Sequence, residues 1–350
     1  MKQIIFLTAY PTTNTLKDGM VQRVKNIDNL FIQTPRVFLD VNIRCYFNKQ
    51  VCEPTDNVKE YKLNALLHFF VIWKLIKAAD IIFLHSVYGA VCTFIQLCLF
   101  KKKICLDFHG VVPEENLVIN NRFYFYYFKF IEWVSVRLAT HVIYVSKVME
   151  QNFVQKYPFI TKRRMIYPNY TNIKQDRIPI KFNNANTGNK TVFIYSGNLQ
   201  NWQNIDDLLK VIHQYQTVPN YHFIILTGQV EQFKKKIVKH HIQLDRIEIN
   251  SVNSDEIDAY YARAHYGFIL RSDHLLNRVA NPTKMMEYLL FGITPIVKSV
   301  AIGDFNDYQY EYININEFNE YLLPKKSTIN QNIALKILNE KEDLVEFVML

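Results

Sequence analysis

The residues from Leu270 to Val297 have the types and spacing most suited to chemistry. Their sequence, LRSDHLLNRVANPTKMMEYLLFGITPIV, predicts the end of a strand, a polar loop and then a helix. We expect Asn281 to cap that helix and Pro282 to be its first residue, because a proline at that position loses no hydrogen bond. The helix is predicted to end near Gly292. The sequence therefore predicts a helix N-terminus close to the end of a strand.

The start of this predicted helix is suited to binding an anion. Its first N–H groups have no acceptor within the helix and lie at the positive end of the helix dipole, so the amides of Thr283 and Lys284 could hold a diphosphate. Arg271 and Lys284 could add full positive charges. Glu287, one turn further along, could accept hydrogen bonds from the two vicinal hydroxyls of a ribose. The alternative is an ordinary capped helix on which Lys284 and Glu287 face solvent.

Several segments, in a characteristic order, resemble one family of proteins. The helix carries a Pro-x-Lys-x-x-Glu-Tyr pattern followed by Gly292 and Pro295, which are one residue further apart than in the commonest Gly-x-Pro form. The other segments are DFHGVVPEE (107–115), VIYVSKVMEQNF (142–153), MIYPNYTN (165–172) and FIYSGNLQNWQNIDDLL (193–209). This ordered set is similar to the GT-B glycosyltransferases of the family 4 type, which act in bacterial polysaccharide and glycolipid biosynthesis, including capsule and O-antigen.

The resemblance implies an α/β fold of two Rossmann-like domains, each a doubly wound parallel sheet, which face each other across a cleft. Such an enzyme moves a sugar from a nucleotide-diphosphate sugar to a glycan or lipid-linked glycan acceptor. The second domain would hold the donor and the first would supply the acceptor side. The reaction implied is retaining transfer, in which the acceptor hydroxyl attacks on the face of the leaving group and a diphosphate oxygen takes its proton.

The resemblance also implies roles for individual residues. It gives His109, Arg271 and Lys284 catalytic roles, and it places Glu114 and Glu115 on the acceptor side. The donor-binding residues that it implies are Gly197, Asn198, Trp202, Arg271, Lys284 and Glu287, and the predicted helix starts add Gly19, Asn281, Pro282 and Thr283. Gly19 precedes a predicted helix, where a glycine lets the backbone approach a phosphate closely. The alternative for His109 is a structural histidine at the end of a strand.

Two positions depart from the family pattern. Many members have a second glutamate eight residues before the ribose-binding one, where this chain has Val279, and many have arginine and lysine in the loop that holds Asn198 here. The missing charge would have to come from Arg271, Arg278 and Lys284. These departures leave two alternatives open: a catalytically impaired binding subunit of a glycan-assembly complex, and a nucleotide-sugar epimerase of the same fold.

We expect no cofactor and no metal ion. The chain has no Asp-x-Asp pair, which is the acidic metal site of the other large glycosyltransferase fold. Its five cysteines form no Cys-x-x-Cys pair, so neither a zinc site nor a disulfide framework is predicted. Cationic side chains and a helix dipole would instead stabilise the departing diphosphate.

Apolar runs that alternate with helix-length segments predict parallel sheets covered by helices. The predicted strands are 3–7, 37–41, 80–84, 103–108 and 141–145 in the first half, and 192–196, 221–226, 246–249, 266–270 and 294–297 in the second. The polar segment 181–190 is the predicted linker. We therefore expect a first domain over 1–180, a donor domain over 191–310 and a C-terminal helical segment over 311–350 that could pack back on the first domain.

The charge balance favours anionic partners or a solvated basic surface. Lys and Arg number 41 against 32 Asp and Glu, a formal net charge of +9. No nucleic-acid module accompanies the basic runs, so we expect no nucleic-acid partner. The N-terminus predicts a strand rather than an export signal, so the expected location is the cytoplasm.

Three apolar segments raise the question of a membrane. The uncharged run 81–100 predicts a buried strand, a turn at Gly89 and a buried helix, with a transmembrane helix as the alternative. The aromatic helices predicted over 63–77 and 122–137 are flanked by Lys and Arg, which suits peripheral docking on the anionic inner face of the plasma membrane. Core packing is the alternative for both helices.

Overall fold

The computed structural model describes residues 2–12, 15, 19–160, 162–169, 190–253, 256–340 and 343–350. The chain forms two compact units: the first comprises Met1–Pro168 with Glu342–Leu350, and the second comprises Asn169–Lys341. The first unit thus ends earlier than the expected boundary at 180. The predicted linker lies outside the described residues except for Lys190.

The first unit is built on an eight-stranded sheet with the order β3-β4-β2-β1-β5-β6-β7-β8. All neighbouring strands are parallel except β3 and β4, which pair antiparallel. The strands are β1 (Ile4–Phe6), β2 (Arg36–Asn42), β3 (Gln50–Thr55), β4 (Val58–Asn64), β5 (Ile81–His85), β6 (Lys103–Phe108), β7 (His141–Tyr144) and β8 (Arg163–Ile166). The central strands β1, β5 and β7 are buried along their whole length, as expected for parallel strands with both faces covered.

Helices lie between most of these strands. They are α1 (Gly19–Leu30), α2 (Phe69–Ala78), α3 (Phe94–Leu99), α4 (Val112–Val118), α5 (Arg122–Leu138) and α6 (Lys147–Lys156). The chain's last helix, α13 (Leu344–Met349), also belongs to this unit.

The helix predicted over 63–77 is wrong at its start. Strand β4 continues to Asn64, and α2 begins only at Phe69. The Asn64 side-chain oxygen accepts hydrogen bonds from the amides of Leu66 and Leu67, at 3.1 and 3.2 Å, and this turn ends the strand. The hairpin of β3 and β4 was not expected from the sequence.

The uncharged run 81–100 is divided among three short elements. These are β5, a 3-10 turn at Val87–Ala90, and α3. A side chain at Gly89 would overlap the carbonyl of Leu7, so glycine is needed where this turn packs on the end of β1. The prediction of a buried helix holds for one face only, because Ile95 and Leu99 are exposed. Across the described part of the chain, no helix has the length and apolar character needed to cross a bilayer.

The second unit is built on a six-stranded parallel sheet with the order β11-β10-β9-β12-β13-β14. Its strands are β9 (Thr191–Ser196), β10 (Tyr221–Leu226), β11 (Ile247–Asn250), β12 (Tyr266–Ile269), β13 (Thr294–Val297) and β14 (Ile313–Asn314). Its helices are α7 (Ile205–Tyr215), α8 (Val230–Lys239), α9 (Ile257–Arg263), α10 (Leu275–Arg278), α11 (Thr283–Leu290) and α12 (Thr328–Asn339). The segment 311–350, predicted as helical, therefore also contributes strand β14.

Both faces of the second sheet are covered by apolar packing. Along β9, Val192 and Ile194 belong to one buried cluster and Phe193 and Tyr195 to another, as the alternation of a strand requires. Helix α11 contributes Leu289 to the first of these clusters. The helix that carries the predicted anion site is thus anchored on the sheet by buried apolar side chains.

The strand order of the second sheet reverses direction between β9 and β12. Strand β9 comes first in the chain, β10 and β11 follow on one side of it, and β12 to β14 follow on the other. In open α/β sheets, ligands bind outside the carboxyl ends of the strands at such a switch point. The fold therefore predicts a ligand site at the loops after β9 and β12.

Candidate active site

Three segments of the second unit converge at this switch point. Gly197 follows β9, Arg271 follows β12, and α11 begins at Thr283. The Nζ atom of Lys284 lies 5.3 Å from the centre of the Tyr195 ring. An added Cβ at position 197 would overlap that Nζ atom and the Tyr195 hydroxyl, so glycine leaves room for the close approach of Lys284 to the loop.

The electrostatics of this cluster favour an anion. Burial of the ammonium group, together with the nearby Arg271 guanidinium, lowers the pKa of Lys284 to about 8, while Glu287 opposes the shift. Burial likewise lowers the pKa of Arg271 to about 10. Among the residues that the structure describes, no carboxylate lies within 4.0 Å of either cationic group. Two like charges removed from water repel each other, and a bound anion would relieve that cost.

Glu287 lies beside these cations and has a defined partner. The hydroxyl of Tyr261, in α9, donates a hydrogen bond of 2.9 Å to Glu287 Oε2. Burial raises the pKa of Glu287, and the Tyr261 hydrogen bond and Lys284 oppose that rise. Lys284 and Glu287 are half-buried, which argues against the alternative of an ordinary helix with both side chains in solvent.

The predicted capping arrangement of α11 is wrong by one position. Pro282 occupies the N-cap position and supplies no side-chain cap, and the helix begins at Thr283. Asn281 instead accepts a 2.9 Å hydrogen bond from the amide of Asn169 through its side-chain oxygen. The first N–H groups of α11 are therefore left without a side-chain acceptor, which suits an anion-binding helix end.

The first residues of the loop after β9 are held by two hydrogen bonds. The Tyr195 hydroxyl donates a 2.7 Å hydrogen bond to the carbonyl of Asn198, and the amide of Leu199 donates one of 2.8 Å to Gln229 Oε1. Trp202, in the same loop, is 45% exposed. The loop that the resemblance assigns to the nucleotide is thus held at Asn198, while Trp202 remains accessible.

Asn204 connects the loops that follow β9 and β12. It adopts the left-handed conformation, with φ of 49°. Its side-chain amide donates to the Leu270 carbonyl at 2.5 Å and is 3.0 Å from the Ser272 hydroxyl oxygen. This contact holds the segment that carries Arg271 against the segment that carries Gly197.

Arg278 and Val279 do not add charge to this cluster. The Arg278 guanidinium forms an exposed ion pair with Asp273, with N–O distances of 2.5 and 3.0 Å. Val279 is only 1% exposed and packs at the end of α10. The expectation that Arg278 replaces the missing loop cations therefore has no support, and the positive charge comes from Lys284 and Arg271.

His109 lies in the first unit, directly after β6, beside a buried ion pair. Arg23, in α1, donates to both carboxylate oxygens of Asp107, at 2.8 and 2.6 Å. The Nδ1 atoms of His109 and His85 are each 3.4 Å from Asp107 Oδ2. Arg23 and these histidines hold the pKa of Asp107 well below its usual range even though burial opposes the shift. Asp107 is therefore a buried negative charge next to the His109 ring.

The two acceptor-side glutamates differ in their surroundings. Glu114 Oε1 accepts a 2.8 Å hydrogen bond from Lys156, which also contacts Glu132. The Glu115 carboxylate lies over Gly110, where an added Cβ would be 2.5 Å from Oε1. Desolvation of that carboxyl group raises its pKa, and His109 opposes the rise. Glu115 is thus the one next to His109, whereas Glu114 is occupied by Lys156.

Gly19 is the first residue of α1. An added Cβ there would meet no atom within 4 Å, so packing does not require a glycine. Most of the loop before it, including 13–14 and 16–18, lies outside the described residues.

A cavity of about 410 Å³ lies elsewhere in the second unit. Its lining includes Tyr266 and Thr294, which begin β12 and β13, so it is at the amino ends of the strands. It is therefore separate from the cluster around Lys284. In the described ranges, no group of three His, Cys, Asp or Glu side chains is arranged to hold a metal ion.

Solved structures similar to this one share the fold across almost the whole chain. HepE from Anabaena, in complex with UDP-glucose, matches with a TM-score of 0.63 and 13% identity, covering 100% of this chain and 98% of its own. The sucrose-phosphate synthase of Thermosynechococcus elongatus matches with a TM-score of 0.64 and 12% identity, covering 97% and 90%. A structure described as trehalose-6-phosphate from E. coli bound with UDP-2-fluoro glucose matches with a TM-score of 0.64 and 9% identity, covering 100% of this chain and 97% of its own. These likenesses confirm the predicted GT-B fold.

Sequence models identify the family. The chain matches the model described as Glycosyltransferase Family 4 over residues 50–173 and the model described as Glycosyl transferases group 1 over residues 176–341. The chain belongs to the family 4-like GT-B glycosyltransferases. No curated protein matches it in sequence.

In this GT-B glycosyltransferase, the residues that sequence analysis missed are those that hold the named ones in place. Tyr261 donates to Glu287, Asn204 joins two loops, and Arg23 holds Asp107 beside His109. Asp107 and Asn204 lay in segments with a sequence signal, the Asp-x-His-Gly pattern and the segment 193–209. Tyr261 and Arg23 are distant in the chain from the residues they support.

The buried pair of Arg23 and Asp107 generates the first prediction. Replacing Arg23 with alanine would leave the Asp107 carboxylate buried without its partner, so R23A should lower the free energy of unfolding by about 3–5 kcal/mol. R278A is the matched control, because it breaks an exposed Arg–Asp pair whose loss should leave the free energy of unfolding nearly unchanged. Urea denaturation of both variants measures the difference, and equal losses would show that Asp107 does not depend on Arg23.

Proposed function

We propose that this glycosyltransferase moves a sugar from a nucleoside-diphosphate sugar to a glycan or lipid-linked glycan acceptor, with retention and without a metal ion. One observation supports the donor class above all. Lys284 and Arg271 are held together at the N-terminus of α11, where the helix dipole adds to their charge. A diphosphate is the ligand group that matches this density of positive charge.

The similar solved structures support the same donor class. HepE is described in complex with UDP-glucose, with UDP and glucose, and with UDP, and the E. coli structure holds UDP-2-fluoro glucose. We propose a nucleotide sugar for this chain on that analogy together with its own cation cluster.

The arrangement around Glu287 suits a ribose. Tyr261 donates to one carboxylate oxygen, Oε2, so Oε1 and the remaining lone pairs can accept from vicinal hydroxyls. We propose that Gly197, Asn198 and Trp202 line the other side of the nucleotide. The amides of α11, at Thr283 and beyond, would face the phosphates, with Asn281 and Pro282 shaping the loop before them.

The proposed reaction proceeds at the bond between the sugar and the diphosphate. The C1–O bond to the diphosphate breaks, a bond from C1 to the acceptor oxygen forms on the same face, and the acceptor proton moves to a diphosphate oxygen. Lys284 and Arg271 would stabilise the charge that develops on the leaving group, an effect typically worth about 2.7–4 kcal/mol for each preorganised donor. His109, which lies beside Asp107, is proposed to contact the transferred sugar, and Gly19 to contact phosphate.

On the acceptor side, Glu115 is a stronger candidate than Glu114. Its carboxylate lies next to His109 and has a raised pKa, whereas Glu114 is paired with Lys156. With a glycan or lipid-linked glycan as the acceptor, we propose that the enzyme acts in bacterial polysaccharide biosynthesis, such as that of capsule or O-antigen. It would act on the cytoplasmic side of the membrane.

A catalytically impaired binding subunit is the second candidate, favoured by the buried Val279 at the position of a family glutamate. An epimerase is the third. Incubation with nucleotide sugars separates the three: a transferase slowly releases nucleoside diphosphate, an impaired subunit binds without release, and an epimerase interconverts two nucleotide sugars.

The proposed ribose contact predicts the effect of Glu287→Ala. Loss of hydrogen bonds to a charged acceptor should weaken nucleotide binding by about 1.5–3 kcal/mol, or roughly 10- to 150-fold, while unfolding changes much less. Isothermal titration calorimetry with UDP measures the first effect and thermal denaturation the second.

The matched control is Glu248→Ala, which removes another half-buried carboxylate of the same unit, on β11, where it pairs with Arg263. UDP affinity should be unchanged in E248A. Unchanged affinity in E287A as well would remove Glu287 from the nucleotide site.

The lowered pKa of Lys284 predicts a dependence of donor binding on pH. Below about pH 8 the Lys284 side chain is protonated and attracts the diphosphate. Above that pH it loses its proton, and the affinity for the donor should fall by up to about tenfold per pH unit. Calorimetry with UDP between about pH 7 and 9 measures the slope, since the secondary phosphate ionisation lies near 6. K284M should bind weakly at all these pH values and show no slope; a slope retained in K284M would assign it to another group.

Metal independence is tested directly by chelation. Lys284 and Arg271 are proposed to stabilise the leaving diphosphate, as a divalent ion does in other glycosyltransferases. Transfer and nucleotide release should therefore continue unchanged in EDTA. Loss of activity in EDTA, with recovery on addition of Mn²⁺ or Mg²⁺, would contradict the proposed stabilisation of the leaving group.

A further inference from the structure

Helix α5 of the first unit presents a row of aromatic side chains to solvent. Phe123 is 75% exposed, Tyr126 68%, Phe130 53% and Trp133 39%. Spacings of three and four residues place them along one side of the helix. The opposite side, with Ile131 and other residues, is buried in the unit.

The neighbours of α5 also expose apolar side chains. Helices α3 and α4 both pack against α5. Ile95 and Leu99 of α3 are 47% and 56% exposed, and Val118 and Ile119 at the end of α4 are 53% and 68% exposed. We call these residues, with the four aromatics of α5, the aromatic face. Exposed apolar surface of this extent on a soluble domain marks an interaction site.

The exposed charges on the segments around the aromatic face are mostly positive. Between 63 and 103 the sole acidic residue is Asp80, which accepts a 2.7 Å hydrogen bond from the amide of Gln3. Between 112 and 147 the acidic residues are Glu114, Glu115 and Glu132; Glu114 and Glu132 pair with Lys156, and Glu115 is exposed. The exposed basic residues on these segments are Lys74, Lys77, Lys101, Arg122, Lys129, Arg137 and Lys147.

Two of these cations lie over aromatic rings of the same helix. Arg137 is 4.7 Å from the centre of the Trp133 ring, and Lys129 is 5.5 Å from that of Phe125. Rings with an apolar body beside long basic side chains suit the boundary between lipid headgroups and acyl chains. A helix with an apolar side and basic flanks lies in the plane of such a boundary.

We propose that the aromatic face docks the first unit on an anionic lipid bilayer. The basic rim selects this partner, because it complements anionic headgroups, whereas a second copy of the chain would bring like charges together. The proposal does not depend on the cluster around Lys284: its failure would leave nucleotide binding unchanged, and the reverse also holds.

Vesicle co-sedimentation tests the proposal with the full chain. The protein should sediment with vesicles of phosphatidylcholine containing about 30% phosphatidylglycerol, bind pure phosphatidylcholine far less, and be released by about 1 M NaCl, since salt screens exposed charges. Equal binding to both vesicle types, or retention until detergent is added, would overturn the electrostatic docking. Binding to neither would overturn the proposal as a whole.

Paired variants separate the apolar and charged contributions. F123S/F130S removes two rings of the aromatic face, and R122E/K129E reverses two charges of its rim. Each lost cation near an anionic surface weakens binding by about fivefold, so R122E/K129E should bind at least about 25-fold more weakly. F123S/F130S should also lose most of its binding.

The matched controls carry the same kinds of change on the second unit. Tyr321 and Leu323 are 78% and 73% exposed, and Lys235 and Lys239 are exposed on α8, so Y321S/L323S and K235E/K239E should bind vesicles as the unmodified protein does. Equal losses in test and control variants would contradict a specific face. Thermal denaturation verifies that each variant is folded. A dimer that F123S/F130S dissociates, without vesicle binding, would instead identify the face as a protein interface.

Discussion

Two positive side chains held close together, partly removed from water, are the constraint around which the second unit is organised. Burial lowers the pKa of both Lys284 and Arg271, and the Arg271 charge lowers that of Lys284 further. The arrangement persists because other parts of the unit hold it: glycine at 197 leaves room for the ammonium group, and Leu289 and its neighbours anchor α11 on the sheet. Packing energy thus maintains an electrostatic arrangement that a bound anion would make favourable.

The buried charge of Asp107 in the first unit differs from this pair, because it has a partner of opposite charge. Asp107 is fully buried, but Arg23 contacts both of its oxygens and two histidines lie near it, so its charge is compensated within the protein. A compensated charge orients its neighbours and has little need of a ligand. An uncompensated pair such as Lys284 and Arg271 has that need, and this contrast distinguishes a positioning group from a binding group.

Sequence reasoning succeeded where a local rule sufficed. The central strands are continuous apolar runs, and spacing along α11 alone brings Lys284 and Glu287 onto neighbouring turns. It failed where long-range contacts decided the outcome. Asn281 is a residue type that often caps helices, but its side chain instead accepts a hydrogen bond from the Asn169 amide. Tyr261 is near Glu287 only because α9 packs beside α11. The hairpin of β3 and β4 was missed because β3 is wholly exposed and carries no apolar run.

Helix α5 shows a different limit of sequence reasoning. Aromatic residues occur on several sides of its first half, so hydrophobic periodicity does not reveal which side is buried. The structure resolves this: Ile131, Ser135 and Val136 are buried, whereas most of the large aromatic rings remain outside. Burying Phe123 and Phe130 would ordinarily stabilise a fold by about 1.5–3 kcal/mol each. A helix that leaves this stabilisation unused within its own unit is arranged for a surface that the chain itself does not provide.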